Sequence, residues 1–106
     1  MTYTMTINGA AVGGAEQFDI INPATGAVFT QAPDCTKAEL DAAIEAAQSA
    51  QSAWQAMPIG DRKNLILAFA GKIAEQGEQL ARLLTSEQGK PHEDAMADVM
   101  GGAYWL

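Results

Sequence analysis

The spacing of apolar residues changes once along this chain, near Thr36, and that change constrains the fold more than any other feature. Before it, short stretches alternate apolar and polar residues, as strands do. After it, apolar residues recur every three or four positions, as on one face of a helix. Thr36 and Glu39 form the S/T-x-x-E capping box that opens a helix. We therefore predict an α+β chain, with strands and hairpins in residues 1–34, the last strand ended by Pro33, and helices in residues 35–106.

Two turn signals divide the strand region. Asn8-Gly9 is a strong signal for a two-residue hairpin loop. The stretch NPATG is the second signal: Pro23 fixes φ, Asn22 can accept a bond from the backbone ahead, and Gly26 can take a positive φ. We predict short antiparallel strands on both sides of these turns.

Three or four amphipathic helices are predicted in the rest of the chain. Pro58 separates the first from the second, and Gly77 is expected to kink or split the second. Gly101-Gly102 is expected to allow a close approach between helices. The apolar faces of these helices are expected to bury a common core, formed by Leu40, Ile44, Trp54, Leu65, Phe69, Ile73, Leu80, Leu83 and Val99.

The stretch SEQGKP allows two interpretations, a phosphate-binding loop and a helix stop. A phosphate loop needs a preceding strand, several glycines and a Ser or Thr after the lysine. Here the Gly-Lys pair follows a leucine-striped helix, and Pro91 follows Lys90. Gly89 suits the residue just past a helix end, and Lys90 complements the helix dipole. We therefore interpret the stretch as a helix stop.

The acidic balance excludes some function classes. The formal net charge is −7, from 13 acidic and 6 basic side chains. Binding to a nucleic-acid backbone needs clustered Lys and Arg, so no nucleic-acid partner is expected. The sequence has no apolar run long enough to span a membrane and no signal peptide, so the expected location is the cytoplasm and no membrane partner is expected.

The sequence offers few groups for catalysis or metal binding. Cys35 is the only cysteine, which excludes an intramolecular disulfide. A thiol nucleophile needs a base, and the only histidine, His92, is far away in sequence. His92 with Glu93 and Asp94 lacks the usual spacing of metal ligands. No catalytic residue is predicted.

Several motifs occur together in an order and spacing that resemble one family. They are ING, INPATG, AWQAMP, the long stretch DRKNLILAFAGKIAEQGEQLARLLTSEQGKP, and DVMGGAYWL. From about Thr6 to Leu106, the chain resembles the N-terminal segment of the aldehyde dehydrogenase superfamily, a fragment of its α/β fold. The resemblance assigns residues 1–106 to the cofactor domain, and the abrupt end at AYWL predicts truncation at the C-terminus.

The resemblance implies a parent enzyme that oxidises an aldehyde to a carboxylic acid with NAD or NADP. The family's cysteine nucleophile, glutamate base and oxyanion-hole asparagine lie downstream of position 106, as does its dinucleotide-binding sheet. Cys35 does not match the nucleophile. The segment alone is therefore expected to be structural, inactive and without a cofactor, with the remainder of the parent enzyme as its partner, in a homo-oligomer.

The resemblance also implies a monovalent cation, K⁺ or Na⁺. The positions that match the family's ligands are the backbone carbonyls of Ile20 and Ile21 and the carboxylate of Glu87. Family members often carry Asp at the last position, and a further ligand lies beyond Leu106. The alternative is that Glu87 only caps or solvates the last turn of its helix.

A second function class stays open at this point, a free-standing module that associates with itself through its helices. The apolar AYWL end favours association, because a large exposed apolar patch must find a partner or aggregate. The sequence does not identify the aldehyde, the choice between NAD and NADP, or the oligomeric state.

Overall fold

The structure is a computed structural model that describes residues 3–106. The chain divides into two compact units. The first unit contains the residues up to Ile21 together with Val28–Ala56, and the second contains Asn22–Ala27 and Met57–Leu106. Strands precede helices, as the change in spacing predicts. The elements of the described residues are β1 (Met5–Ile7), β2 (Ala10–Val12), β3 (Glu16–Asn22), β4 (Ala27–Asp34), α1 (Lys37–Ala56), α2 (Ile59–Glu75), α3 (Gly77–Gln88) and α4 (His92–Trp105).

The first unit begins with the predicted hairpin. β1 and β2 pair antiparallel, with Ile7 opposite Ala10. The two loop residues between them, Asn8 and Gly9, have φ of 51° and 74°. Both values are positive, as a type I′ turn requires, and this confirms the hairpin loop. β1 also packs against α1.

β3 and β4 form the second antiparallel pair. The side chain of Gln31 on β4 donates to Asp19 Oδ1 on β3 at 2.8 Å. β4 continues through Pro33 to Asp34, so the prediction that Pro33 ends the strand was wrong. In a two-stranded sheet each strand is an edge strand, and an edge tolerates a residue that has no N–H to donate.

In the second unit, α4 packs against both α2 and α3. The predicted break at Gly77 is confirmed, since α2 ends at Glu75 and α3 begins at Gly77. Between them Gln76 ends the first helix, and its N–H lies 3.1 Å from the carbonyl of Ile73. The two helices are therefore separated by one residue.

The close approach between helices occurs at a different glycine from the predicted pair. Gly77 is buried, and a Cβ placed on it would lie 3.5 Å from Met96 Sδ and 3.6 Å from Met100 Sδ. A Cβ on Gly101 or Gly102 would meet no atom of another helix within 4 Å. The prediction for these two glycines was wrong, because a pair of small residues permits close packing but does not place a neighbour there.

The predicted core is mostly not buried. Among the described residues, the fully buried apolar side chains are those of Ala81 and Ala95, at 0% exposure. Helical spacing predicts which face of a helix is apolar, but not whether another element of the chain covers it. Of the nine predicted core residues, the exposed ones are Leu40, Ile44, Trp54, Leu65 and Phe69, and the half-buried ones are Ile73, Leu80, Leu83 and Val99.

Candidate functional site

The first helix begins with the predicted capping box. The backbone N–H of Thr36 donates to Glu39 Oε2 at 2.9 Å, and the Thr36 hydroxyl donates to the same oxygen at 2.8 Å. The N–H of Glu39 in turn lies 3.3 Å from Thr36 Oγ1. These reciprocal bonds satisfy backbone donors that the first turn leaves without helical partners.

The Glu39 carboxylate has a further partner that the sequence did not indicate. Its other oxygen, Oε1, accepts from the N–H of Ala15 at 3.0 Å, across 24 residues of chain. The bonds from the Thr36 backbone and hydroxyl, with a smaller contribution from Ala15, lower the pKa of Glu39 below its ordinary value of 4.5. The Glu39 carboxylate therefore caps α1 and also binds the connection between β2 and β3 to the first turn of α1.

The turn at NPATG also has the predicted local structure. Asn22 Oδ1 accepts from the N–H of Ala24 at 2.9 Å, and the Asn22 carbonyl accepts from the N–H of Gly26 at 2.8 Å. Gly26 has φ of 69°. An Asx turn of this kind holds the loop through its own side chain, so Pro23 is presented in a defined position.

The helix stop at SEQGKP is confirmed. Gly89 has φ of 72°, and its N–H donates to the carbonyl of Thr85 at 2.8 Å, which ends α3 in the left-handed conformation. A Cβ on Gly89 would lie 3.0 Å from Pro23 Cγ, so this helix end packs closely on the NPATG turn. Lys90 forms an ion pair with Asp98 of α4, a partner that the helix-dipole argument did not anticipate.

The structure places the predicted cation ligands on separate units. Ile20 is half-buried and Ile21 is 55% exposed, both on β3 in the first unit. Glu87 is an exposed residue in the last turn of α3, in the second unit. The cation site at these three residues stays a prediction.

Glu87 also lines an apolar groove in the second unit. The groove is open, with a volume of about 340 Å³, and it runs between α2, α3 and α4. We call it the α2–α4 groove. Its other lining residues are Ile73, Leu80, Leu83, Leu84, Val99 and Gly102.

The only thiol and the only imidazole each have local contacts. The exposed Cys35 Sγ lies 3.6 Å from the carbonyl of its neighbour Thr36. His92 Nε2 lies 3.2 Å from Glu78 Oε2, and Glu78 Oε1 accepts from Arg82 Nε at 2.7 Å. The bond from Arg82, followed by the contact with His92, lowers the pKa of the Glu78 carboxyl. Within residues 3–106, no three His, Cys, Asp or Glu side chains lie close enough together to bind a metal ion.

Large apolar side chains lie on the surface of the helices. Ile59 on α2 is 74% exposed, and Tyr104 and Trp105 on α4 are 81% and 85% exposed. The two aromatic rings meet edge to face, with centroids 5.5 Å apart. None of the described helices combines the length and the apolar character needed to cross a bilayer. Large exposed apolar side chains that lie together are typical of surfaces that another protein segment covers.

Comparison with known proteins establishes the family. Residues 11–106 match the aldehyde dehydrogenase family, so the chain belongs to it and forms an N-terminal segment of its fold. Malonate-semialdehyde dehydrogenase 2 of Geobacillus thermodenitrificans is 37% identical in an alignment 109 residues long. The alignment covers 96% of this chain and 22% of that protein. The mouse methylmalonate-semialdehyde/malonate-semialdehyde dehydrogenase is 44% identical over 84 residues, which cover 79% of this chain and 16% of that protein.

Solved structures agree with the sequence relatives. The NADP-dependent glyceraldehyde-3-phosphate dehydrogenase from Bacillus halodurans, complexed with NADP, superposes with a TM-score of 0.92 at 29% identity. The superposition covers 98% of this chain and 22% of that one. A putative aldehyde dehydrogenase from Burkholderia cenocepacia gives a TM-score of 0.90 at 36% identity, over 97% of this chain and 22% of that one. The chain therefore spans 16% to 22% of the length of these relatives.

Proposed function

We propose that this chain serves as the structural N-terminal part of an NAD(P)-dependent aldehyde dehydrogenase that oxidises an aldehyde to a carboxylic acid. In this proposal the segment itself carries no reacting group and lies in the cytoplasm. The observation that carries the proposal is the match of nearly the whole chain to a family whose similar members are about five times longer. Two such relatives act on semialdehydes, so a short aldehyde that bears a carboxylate is the substrate class we favour.

The chemistry of the described residues supports an inactive segment. Oxidation of an aldehyde by this family requires a thiolate nucleophile, hydrogen-bond donors for an oxyanion and a bound hydride acceptor. Among residues 3–106, the hydrogen-bond partner of the Cys35 thiol is the carbonyl of Thr36, which cannot take up its proton. In this proposal no base activates the thiol.

The start of α1 does not fit a dinucleotide either. A pyrophosphate binds where a glycine-rich loop leaves the first N–H groups of a helix free. At the start of α1, the Glu39 carboxylate already accepts the N–H of Thr36, and its negative charge would repel a phosphate. The sequence contains no G-x-G-x-x-G stretch. We therefore assign no cofactor contact to these residues.

The exposed apolar surfaces support a scaffolding role. Leu65 and Phe69 on α2 are 52% and 56% exposed, and the α2–α4 groove is open. Burial of such side chains stabilises a protein by about 25 cal/mol for each Å² of apolar surface removed from water. We propose that the remainder of an aldehyde dehydrogenase chain covers them.

An activity assay tests the first part of this proposal. The purified chain is mixed with NAD⁺ or NADP⁺ and malonate semialdehyde or propanal, and reduced nicotinamide is followed by its absorbance. We expect no increase above the rate without protein. Aldehyde-dependent reduction by the isolated chain would contradict the assignment of a purely structural role.

A complementation assay tests the scaffolding role. A relative lacking its own corresponding segment is mixed with this chain, and recovery of its dehydrogenase activity is measured. Leu83→Asp places a charge in the α2–α4 groove and is expected to prevent recovery, whereas Gln88→Asp adds the same charge at an exposed end of α3 and is expected to permit it. Circular dichroism of both variants checks that helix content is retained.

Self-association is the second candidate, and the exposure of Tyr104 and Trp105 favours it. Two copies that cover these rings together would form a homo-oligomer without any other chain. Gel filtration with light scattering separates the candidates. A stable dimer supports self-association, and a soluble monomer counts against it.

The monovalent cation at Ile20, Ile21 and Glu87 belongs to the same proposal, because it derives from the family resemblance. Carbonyl and carboxylate oxygens are suitable ligands for K⁺ or Na⁺. Melting temperatures measured in KCl, NaCl and choline chloride at equal ionic strength provide the test. We expect a higher melting temperature with one of the metal ions and loss of that difference in Glu87→Gln. Equal melting temperatures in all three salts would count against the site.

A further inference from the structure

The hairpin loop Asn8-Gly9 combines three features that favour spontaneous modification of an asparagine. Both residues are exposed, and beyond its two chain neighbours a Cβ on Gly9 would meet no atom within 4 Å. Within the described residues, the Asn8 side-chain amide makes no hydrogen bond that would hold it away from the main chain. The residue that follows is glycine, which has no side chain to obstruct attack by its own nitrogen.

We propose that Asn8 is a deamidation site, and that its conversion opens the β1–β2 hairpin. The main-chain nitrogen of Gly9 loses its proton to hydroxide and attacks Asn8 Cγ. The new C–N bond closes a five-membered imide, the bond from Cγ to Nδ2 breaks, and ammonia leaves. Water then opens the imide at either carbonyl, so the net change is one amide and one water converted to one carboxylate and one ammonia.

The two directions of imide opening have different structural results. Attack of water on Cγ restores the main chain and leaves aspartate. Attack on the main-chain carbonyl of Asn8 leaves isoaspartate, in which the main chain runs through Cβ and Cγ and is one methylene longer. A two-residue loop with both φ values positive matches the twist of its strands only at its own length. The register of Ile7 with Ala10 is therefore lost in the isoaspartyl form.

The low stability of the short hairpin favours the reaction. β1 and β2 have three residues each, and a two-stranded hairpin of this size is only marginally stable by itself. Local opening releases Asn8 from its left-handed conformation and allows the Gly9 nitrogen to approach Cγ. Since the nitrogen must lose a proton, the rate of conversion rises with pH.

The other two asparagines, Asn22 and Asn64, serve as internal controls, since neither is followed by glycine. Asn22 precedes Pro23, whose nitrogen has no proton to lose and cannot close the imide. Asn64 lies within α2 before Leu65, where the helix holds the backbone and a branched side chain follows. Neither site has the freedom of a glycine neighbour.

The test is to incubate the folded chain in mildly alkaline buffer and to locate amide-to-acid mass gains by peptide fragmentation. We expect conversion at Asn8 to be at least about tenfold faster than at the other two asparagines, because glycine imposes the least steric hindrance. Conversion at Asn8 that is no faster than at Asn64 would overturn the proposal. So would conversion at Asn8 that occurs in urea but not in the folded chain.

The effect on the hairpin is measured separately. Hydrogen exchange of the β1 and β2 amides is compared in fresh protein, aged protein and the Asn8→Asp variant, which gains the charge without the extra methylene. We expect loss of protection in the isoaspartyl fraction of the aged protein and retention in the variant. Full protection of the isoaspartyl fraction would contradict the claim that conversion opens the hairpin.

Discussion

Gly89, the left-handed residue that ends α3, packs so closely on Pro23 that a Cβ added to Gly89 would lie 3.0 Å from Pro23 Cγ. Pro23 belongs to a turn that the side chain of its neighbour Asn22 stabilises. Asn22 precedes Gly89 by 67 positions in the chain. Two short motifs that each have a local explanation are therefore also one tertiary contact. This junction joins two segments of the second unit and is a specific target for mutation.

Replacement of Gly89 is expected to destabilise the chain. Gly89→Ala forces a side chain into the left-handed region, which costs about 1–2 kcal/mol, and the contact with Pro23 adds to this cost. Urea unfolding followed by circular dichroism measures the change. A loss below about 0.5 kcal/mol would show that the helix end adjusts without strain.

The contribution of Pro23 can be isolated with a double-mutant cycle. Pro23→Ala removes the ring atom that Gly89 faces but leaves the positive φ of Gly89 unchanged. We expect Gly89→Ala to cost less in the Pro23→Ala background than in the original chain. Equal costs in both backgrounds would mean that the positive φ alone accounts for the effect.

Gly77 is expected to respond in the opposite direction. It lies at the start of α3 and has no positive φ, and an added Cβ would make ordinary contacts of 3.5 Å and 3.6 Å with Met96 and Met100. Gly77→Ala should therefore stabilise the chain by about 0.4–1 kcal/mol, mainly by restricting the unfolded chain. The same urea measurement applies, and a decrease in stability would show that the two methionines cannot accept the methyl group.

The stability of the first unit is expected to decrease in acid through Glu39. Its pKa is lowered in the folded chain, so the unfolded chain binds more protons as the pH falls. The stabilisation is complete above the ordinary pKa of 4.5 and is lost as the pH falls through the lower folded value. Glu39→Gln cannot titrate, so its melting temperature should approach that of the original chain in acid and be lower near neutral pH.

A matched variant makes the pH prediction specific. Glu45→Gln removes a carboxylate from the same helix, α1, but not one that accepts the N–H groups of Thr36 and Ala15. We expect it to keep the acid-dependent loss of melting temperature. A pH profile of Glu39→Gln that parallels the original chain would show that the capping bonds do not depend on the charge.

Substitutions on α2 and α4 test the unexpected distribution of burial. Phe69 is 56% exposed, so Phe69→Ser should cost less than about 1 kcal/mol, compared with about 3–5 kcal/mol for removal of a buried Phe. Ala95 is fully buried, so Ala95→Leu should cost about 1–3 kcal/mol through overpacking. Urea midpoints of the two variants provide the comparison, and the reverse order would contradict the observed burial.

Local structure was predictable wherever it depends on residues close in sequence. The capping box of Thr36 and Glu39 closes within one helical turn, and the two-residue loop Asn8-Gly9 needs only residues that accept positive φ. The end of α3 at Gly89 follows the same rule. Short-range sterics and hydrogen bonds decide these features, and the sequence shows their partners directly.

Contacts between distant residues were not predictable from the same patterns. The bond from Ala15 to Glu39 has no sequence signal, because any backbone N–H can donate to a carboxylate. Gly77 and Gly101 are both helical glycines, yet of the two only Gly77 has another helix within 4 Å of an added Cβ. Composition permits a close contact, but the path of the chain determines where it forms.

The sequence alone therefore determined the order of strands and helices, the turns, the caps and the family resemblance, since these depend on local sterics and on motif spacing. Tertiary structure alone decided which apolar faces are covered. Leu65 and Phe69 carry the pattern of core residues but remain exposed, while Ala81 on α3 and Ala95 on α4 are buried, and these two helices pack against each other. An apolar helix face is buried only if another part of the protein packs on it. The spacing of apolar residues shows where that face lies but not what packs on it.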